Sequence, residues 1–373
     1  MELYSDKENC CGCGACADVC PAGAVRMVSD GEGFRYPKID QSKCVNCGRC
    51  ERVCPMKTAS AGTGENLYFG VQAKDDTLRH ASSSGGMFPV LAEYIFRQGG
   101  IVCGAAFGDE MRVVHREAGT KEELESLKKT KYVQSNMEGM YRRIDGYLKE
   151  GRWVLFCGTP CQVRALKLFL NKEYPRLLLA ALICYGVPSP GIWDSYVKYL
   201  ERKHGGKMTD FSFRDKRNRD NGHVCAYTID GKEHADKLEK NLYCQMYFRN
   251  DTLRPSCHAC GYCTTDRDCD FTIGDFWGVE KIRPEADDGM GTSLVILHTE
   301  KAGKVWEEIK GELFQFPCER EEILQPRLTA PTTRAKGRGI YMALYKLLPA
   351  SVFFTLFAVS ACCIGYLRRL CKK

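Results

Sequence analysis

What the sequence lacks narrows it first. Its opening residues, MELYSDKENC, carry no basic, then apolar, then small-residue succession of the kind that directs secretion. A secreted disulfide scaffold is therefore not expected, and a reducing, cytoplasmic setting is. At 44% hydrophobic and 27% charged residues over 373 positions, the composition is neither that of a disordered tail nor that of a fibre. The length allows two or three domains of ordinary size. The most basic internal stretch, RDKRNRD at 214–220, lacks the interleaved aromatic residues of a nucleic-acid groove, so no nucleic-acid partner is expected.

What is present in excess is cysteine. There are 23, and in a reducing compartment dense thiols mean metal or redox chemistry more often than cross-links. Nine of them precede residue 55. Cys10, Cys13, Cys16 and Cys20, followed by Pro21, spell C-x2-C-x2-C-x3-C-P, and Cys44, Cys47, Cys50 and Cys54, followed by Pro55, repeat it 34 residues later. Three thiolates two residues apart on a loop with Gly12, Gly14 or Gly48 can curl around one iron-sulfur cube, while the fourth reaches the other cube. The expected ligands are Cys10, Cys13, Cys16 and Cys54 for the first cube and Cys44, Cys47, Cys50 and Cys20 for the second. A pair of zinc knots is the plainer alternative, but zinc sites rarely set three ligands two apart twice over. Cys11 is spare. Between the halves, AVRMVSDGEGFRYPKID reads as a hairpin about Asp30-Gly31. Residues 1–60 thus look like a bacterial-type two-cluster ferredoxin domain.

After the linker TASAGTG at 58–64, ENLYFG opens a strand, and strands and helices then alternate. Helices are expected over MFPVLAEYIFRQ, KEELESLKK, about 138–149, QVRALKLFL and IWDSYVKYLERK. Strands are expected at IVCGAAF, MRVVHRE, RWVLF and LLLAALI. This pattern predicts a mixed, largely parallel sheet with helical cover, an α/β arrangement that turns α+β where FSFRD, CAYTID and DFTIGDFWG become shorter and more polar. The expected divisions are 1–60, 66–150, 151–335 and 340–373. The last holds LLPASVFFTLFAVSACCIGYL at 347–367, uncharged and followed by a basic tail. Such a run is long enough to span a bilayer as an apolar helix, with the basic end at the inner membrane face. Pro349, Ser351, Thr355 and Ser360 equally suit a helix in the interface or packed on the protein.

A second redox site is expected in the middle region. VLFCGTPCQVRAL places Cys157, Gly158, Thr159 and Cys161 in a turn after a buried strand, and the next strand ends in Cys184; ligands of parallel sheets bind beyond such strand ends. Further on come Cys257, Cys260, Cys263 and Cys269. Two groupings are open: a distributed one (Cys161, Cys184, Cys257, Cys260) and a local one (Cys257, Cys260, Cys263, Cys269), either holding zinc or a third cube. Cys157 and Cys184 also read as ordinary buried thiols. Ser82-Ser83-Ser84-Gly85-Gly86 before a helix is a candidate phosphate cradle, or a plain N-cap.

SSSGGMF, AAFG, KYVQS, FCGTPCQ, ICYGVPSP, LRPSCHAC and TIGDFWG, in that order over residues 68–330, resemble the family of the beta subunit of coenzyme F420 hydrogenase and dehydrogenase. The resemblance implies an iron-sulfur flavoprotein oxidoreductase, with FAD in the sheet cleft, a 4Fe-4S cube beside it, and F420 or a similar hydride carrier as substrate. It implies Ser83, Ser84, Gly85, Gly86, Lys131, Gln134 and Ser135, with Gly158 and Thr159, at the flavin site, and favours Cys161, Cys184, Cys257 and Cys260 as the third set of ligands. No catalytic residue is assigned. Members usually carry His where this chain has Tyr185. Expected partners are ferredoxin or another redox enzyme subunit. The alternative is a non-catalytic electron-transfer subunit or docking scaffold. Trp277 is expected in the core, and Asp275 as a turn cap or a ligand-orienting group. The formal charge of +7 also changes meaning, since three cubes with their thiolates contribute about −6 and leave the loaded protein near +1.

Overall fold

The computed structural model describes residues 3–58, 62, 64–217 and 224–358. Near the N-terminus, β1 (Val25–Ser29) and β2 (Arg35–Ile39) form an antiparallel hairpin in register Val25 to Ile39. Its turn closes on Asp30, whose carboxylate accepts from the amides of Glu32 and Phe34 at 2.9 and 3.0 Å. This hairpin backs two short cysteine-bearing helices, Ala15–Asp18 and Arg49–Arg52.

The body is one eight-stranded sheet. In chain order its strands are β3 (Leu67–Ala73), β4 (Ile101–Phe107), β5 (Val113–Ala118), β6 (Val154–Gly158), β7 (Leu177–Leu182), β11 (Phe271–Asp275), β12 (Ser293–Leu297) and β13 (Leu313–Cys318), in spatial order β13-β3-β12-β11-β7-β6-β4-β5. The four central strands β4, β6, β7 and β11 run parallel, as largely buried strands under helical cover should. Both flanks are antiparallel, so the sheet is mixed. Strands on both sides of the expected 150/151 division share it. On one face, the helices Met87–Arg97 and Glu300–Ile309 bury Leu91, Ile95, Trp306 and Ile309. The other face is covered by Met140–Lys149 and Pro160–Leu170.

A smaller antiparallel sheet, β8 (Met208–Asp215), β9 (Val224–Ile229) and β10 (Lys232–Lys237), packs with the helix Pro190–His204 in a core centred on Trp193, Phe213 and Tyr243. FSFRD and CAYTID belong to this sheet. FTIGD, by contrast, is β11 and pairs parallel to β7.

The apolar run at 347–367 needs correcting as a single helix. Arg338–Leu347 ends at Leu348, before Pro349, and a separate helical stretch follows over 350–358. There Phe353, Phe354 and Phe357 are buried, Phe354 against Tyr196 and Tyr199, Phe353 against Tyr345 and Phe357 against Tyr341. Each such ring contributes roughly 1.5–3 kcal/mol of apolar burial. Among the described residues no helix is long and apolar enough to cross a membrane. Residues 359–367 and the basic tail lie outside the described residues.

Candidate metal centres

The sequence repeat is also a backbone repeat. Gly12 and Asn46 take φ of 69° and 52°, and Gly14 and Gly48 take 80° and 70°, each pair 34 residues apart. These left-handed positions turn each loop so that consecutive cysteines face inward. The thiols ring two cavities. One is lined by Cys10, Cys13, Cys16 and Cys54 together with Cys11 and Cys50. The other is lined by Cys20, Cys44, Cys47 and Cys50. Cys54 thus joins the first loop and Cys20 the second, the crossing that the spacing requires. Burial pushes the Cys16 thiol up to about 12, reinforced by Cys10 and Cys54. At Cys20 burial also raises, but amides from Ala22 to Val25 outweigh it and the thiol titrates below its ordinary value; the Ala24 amide donates at 3.2 Å.

The middle region gathers a third group of thiols. Cys161 sits in the first turn of Pro160–Leu170, where Thr159 and Gln162 form a reciprocal capping box. Cys184 follows β7, and Cys257 and Cys260 lie in and just after the short helix Pro255–Ala259. Every pair among these four interacts electrostatically. Burial, then the neighbouring thiols Cys257, Cys161 and Cys260, hold Cys184 well above its ordinary value. The Val187 amide donates to Cys257 at 3.4 Å, and Thr159 Oγ1 lies 3.2 Å from Cys161 Sγ. Cys263 shares a hydrogen bond with Cys260, which lowers the latter. Cys269 instead is buried in the apolar layer beside β11, its thiol donating to Phe271 O at 3.4 Å. Cys157 is a buried core thiol pushed up to about 12 by desolvation.

The third group meets the first cavity. The Cys11 thiol hydrogen-bonds to both Cys13 and Cys161. Around it the middle region grips the first cysteine loop: Gln134 Nε2 donates to Cys11 O at 2.8 Å, Tyr141 Oη to Cys13 O at 3.0 Å and Arg254 Nε to Cys10 O at 2.7 Å. None of Cys11, Tyr141 and Arg254 stands out as functional from the sequence. Arg254 alone left a trace, in the motif LRPSCHAC. Among the described residues, no three His, Cys, Asp or Glu side chains converge to hold a single metal ion.

Residues 151–315 match the family model for the carboxy-terminal part of the coenzyme F420 hydrogenase/dehydrogenase beta subunit. Residues 9–58 and 36–87 match two models of a 4Fe-4S dicluster domain. Residues 151–315 belong to the family of the F420 hydrogenase/dehydrogenase beta subunit. The first of these spans holds all eight repeat cysteines, and the second holds Cys44, Cys47, Cys50 and Cys54. A curated relative, the F subunit of F(420)H(2) dehydrogenase from Methanosarcina mazei, is 26% identical over 322 residues, covering 82% of this chain and 83% of the relative. A chain of the F420-reducing [NiFe] hydrogenase complex from Methanosarcina barkeri aligns with a TM-score of 0.45 and 17% identity, over 79% of this chain and 91% of that one.

Within the middle region, the residues that the resemblance sets around a flavin form a chain of contacts leading to the third thiol group. Ser83 Oγ accepts from the Thr130 amide at 2.8 Å, joining the SSSGG loop to the 130–135 segment. Ser84 Oγ donates to Thr292 O at 3.1 Å, and Gly85 N donates to Ser293 Oγ at 2.9 Å. A side chain at Gly85 would collide with Val71 O at 2.3 Å, and Gly86, at φ 95°, caps the helix Met87–Arg97. Lys131 Nζ donates to the carbonyls of Ser126 and Lys128, and desolvation brings its ammonium down to about 7. Ser135 accepts from Gln162 Nε2 at 3.0 Å. Gly158 ends β6 and Thr159 caps the next helix, both beside Cys161. Gln134 is turned to the ferredoxin loop, bonding Cys11 and Arg254. Tyr185 Oη donates to Asn250 Oδ1 at 2.8 Å, and Asp275 pairs with Arg214. Trp277 corrects the expectation of a core residue: it is 49% exposed, with only its backbone amide tied, to Gln325.

Proposed function

We propose that this chain is an iron-sulfur oxidoreductase subunit of the F420 hydrogenase/dehydrogenase type, with three 4Fe-4S sites in series between a flavin cleft and a one-electron partner. The observation that carries this reading is the succession of thiol groups. Cys50 lines both cavities, and Cys11, which lines cavity one, hydrogen-bonds to Cys161 of the third group. Cubes would supply one-electron transfer and FAD the exchange of a hydride for two single electrons. The chain's own residues supply the rest. Cys10, Cys13, Cys16 and Cys54 would hold the first cube, Cys20, Cys44, Cys47 and Cys50 the second, and Cys161, Cys184, Cys257 and Cys260 the third. The all-thiol donor set fits these groups.

At the flavin end, Ser83, Ser84, Gly85 and Gly86 would present hydroxyls and a close backbone approach to the cofactor. Lys131, with a proton affinity brought near neutrality, would offer a proton or a positive charge beside the ring. The outer end is cavity two, where Cys47 is exposed to a partner such as ferredoxin or another redox subunit.

The test is anaerobic purification with iron, acid-labile sulfide and flavin analysis, followed by turnover of the isolated chain with reduced F420 or NAD(P)H and an artificial acceptor. About twelve irons per chain, bound flavin and turnover are expected. Full iron without flavin or turnover would leave a non-catalytic electron-transfer subunit. Cys184→Ser should lose about four irons while Cys269→Ser loses none; the reverse would favour the local loop.

A further inference from the structure

Four arginines are buried among the described residues: Arg79, Arg254, Arg267 and Arg338. Two are neutralised conventionally, Arg79 by Asp288 and Arg338 by Glu32, each at 2.6 Å. Arg254 and Arg267 have no carboxylate within ion-pair distance among the described residues. Both stand instead beside cysteines: Arg267 interacts with Cys269, Cys184, Cys263 and Cys260, and Arg254 with Cys10 and Cys257. A desolvated guanidinium without a counter-charge is strongly unfavourable, so an anion is expected to complete each place.

Arg254 is the better defined. Its side chain is fully buried. Nε donates to Cys10 O at 2.7 Å, Nη1 to Gln134 Oε1 at 3.0 Å and Nη2 to Arg35 O at 3.1 Å, while Nη2 also lies 3.6 Å from Cys10 Sγ. The Tyr36 ring lies under it, 4.2 Å from centroid to Cζ. Gly12 makes room: a Cβ there would fall 2.6 Å from Nη1. With its hydrogen-bonding sides occupied by neutral groups, the charge faces sulfur: Cys10 in direct contact and, through space, Cys257 of the third group. Among the described residues cavity two has no equivalent. Its lining arginine, Arg49, lies on a surface helix none of whose residues is buried.

We propose that Arg254 is a positioning residue that raises the reduction potential of the iron-sulfur site at Cys10, Cys13, Cys16 and Cys54 above that of its repeat at Cys20, Cys44, Cys47 and Cys50. This rests on the ligand assignment under Proposed function. In the step concerned, one electron arrives from a one-electron reductant, the site becomes more negative by one charge, and no bond or proton is exchanged. A fixed positive charge in a dry place favours the more negative state.

The test is a dithionite redox titration of the anaerobically purified full chain, followed by electron paramagnetic resonance. The couple that survives Cys47→Ser and Cys184→Ser together, which remove a ligand of cavity two and one of the third group, is assigned to cavity one, and the couple lost in Cys47→Ser alone to cavity two. In the wild type this couple is expected to be the higher of the two. In Arg254→Gln its one-electron equilibrium should move at least tenfold toward the oxidised form, about 59 mV, with the cavity-two couple unmoved. Arg254→Lys should restore most of that shift. The proposal is overturned if iron-loaded Arg254→Gln leaves the couple in place, if both couples move together, or if Lys behaves as Gln does. Should Arg254→Gln not assemble, the wild-type order decides: a cavity-one couple at or below that of cavity two overturns it. Wild-type protein lacking cube signals would instead remove the ligand assignment itself, a different failure from an assembled protein whose potential ignores residue 254.

Discussion

Cavities one and two are built from the same words and live in different surroundings. Their loops share spacing, glycine placement and left-handed turns at an offset of 34 residues. Around cavity one, Cys11 and Cys13 are buried and the backbone carbonyls of residues 10, 11 and 13 are each taken up by a side chain from the middle region. Around cavity two, Cys47 is exposed and Val45 is 66% exposed. Duplicated sequence therefore specifies a local ligand geometry, while tertiary packing decides which copy faces inward to the third thiol group and which faces outward. An electron path needs that inequality, because two equivalent ends would have no direction.

The largest effects should come from removing a crossed ligand. Cys54→Ser should strip about four irons from cavity one although Cys54 is encoded in the second loop, and Cys20→Ser about four from cavity two although it is encoded in the first. Iron analysis combined with paramagnetic resonance of each variant checks this; loss from the cavity of the same loop would break the crossing. A smaller effect is expected at the paired turn positions. Gly12→Ala forces a Cβ into a left-handed conformation, at about 1–2 kcal/mol, and against the Arg254 guanidinium as well. Its repeat mate Asn46 already tolerates φ of 52°, so Asn46→Gly should stay within about 0.5 kcal/mol. Thermal unfolding of the loaded proteins measures both, and equal losses would erase the distinction between the cavities.

What could be read beforehand follows the same division. The eight ferredoxin cysteines were legible because ligand spacing is a local property, fixed within a few residues of chain. Arg254 was not, since its meaning lies in reaching Cys10 across 244 residues and in having no carboxylate where it arrives. Cys11 looked spare for the same reason; only folding brings Cys161 to it. Strand polarity at the sheet flanks was also hidden, because an apolar run such as SLVIL reads alike in either direction. The C-terminal apolar run reads alike as membrane or core; in its described part Phe354 packs on Tyr196 and Tyr199 of the middle region, and Phe353 and Phe357 on Tyr345 and Tyr341 of the preceding helix. Composition reports that a surface must be covered, and leaves open by what.

The smallest effect would sharpen the comparison most. Tyr141 is fully buried and its hydroxyl donates to Cys13 O at 3.0 Å, whereas the repeat position of that carbonyl, at exposed Cys47, has water available. Tyr141→Phe keeps the ring and removes only the donor, leaving a buried carbonyl unsatisfied at a cost of about 1–3 kcal/mol. Because that carbonyl belongs to the cavity-one loop, the loss should appear as faster release of iron to a chelator from cavity one, with release from cavity two unchanged. Arg142, whose bond to Asp18 O lies on the same helix, keeps the interface closed in the variant, so the readout reports the loop and not separation of the domains. Equal acceleration at both cavities would mean that the two sites exchange iron as one unit, and that the inward copy gains no protection from its surroundings.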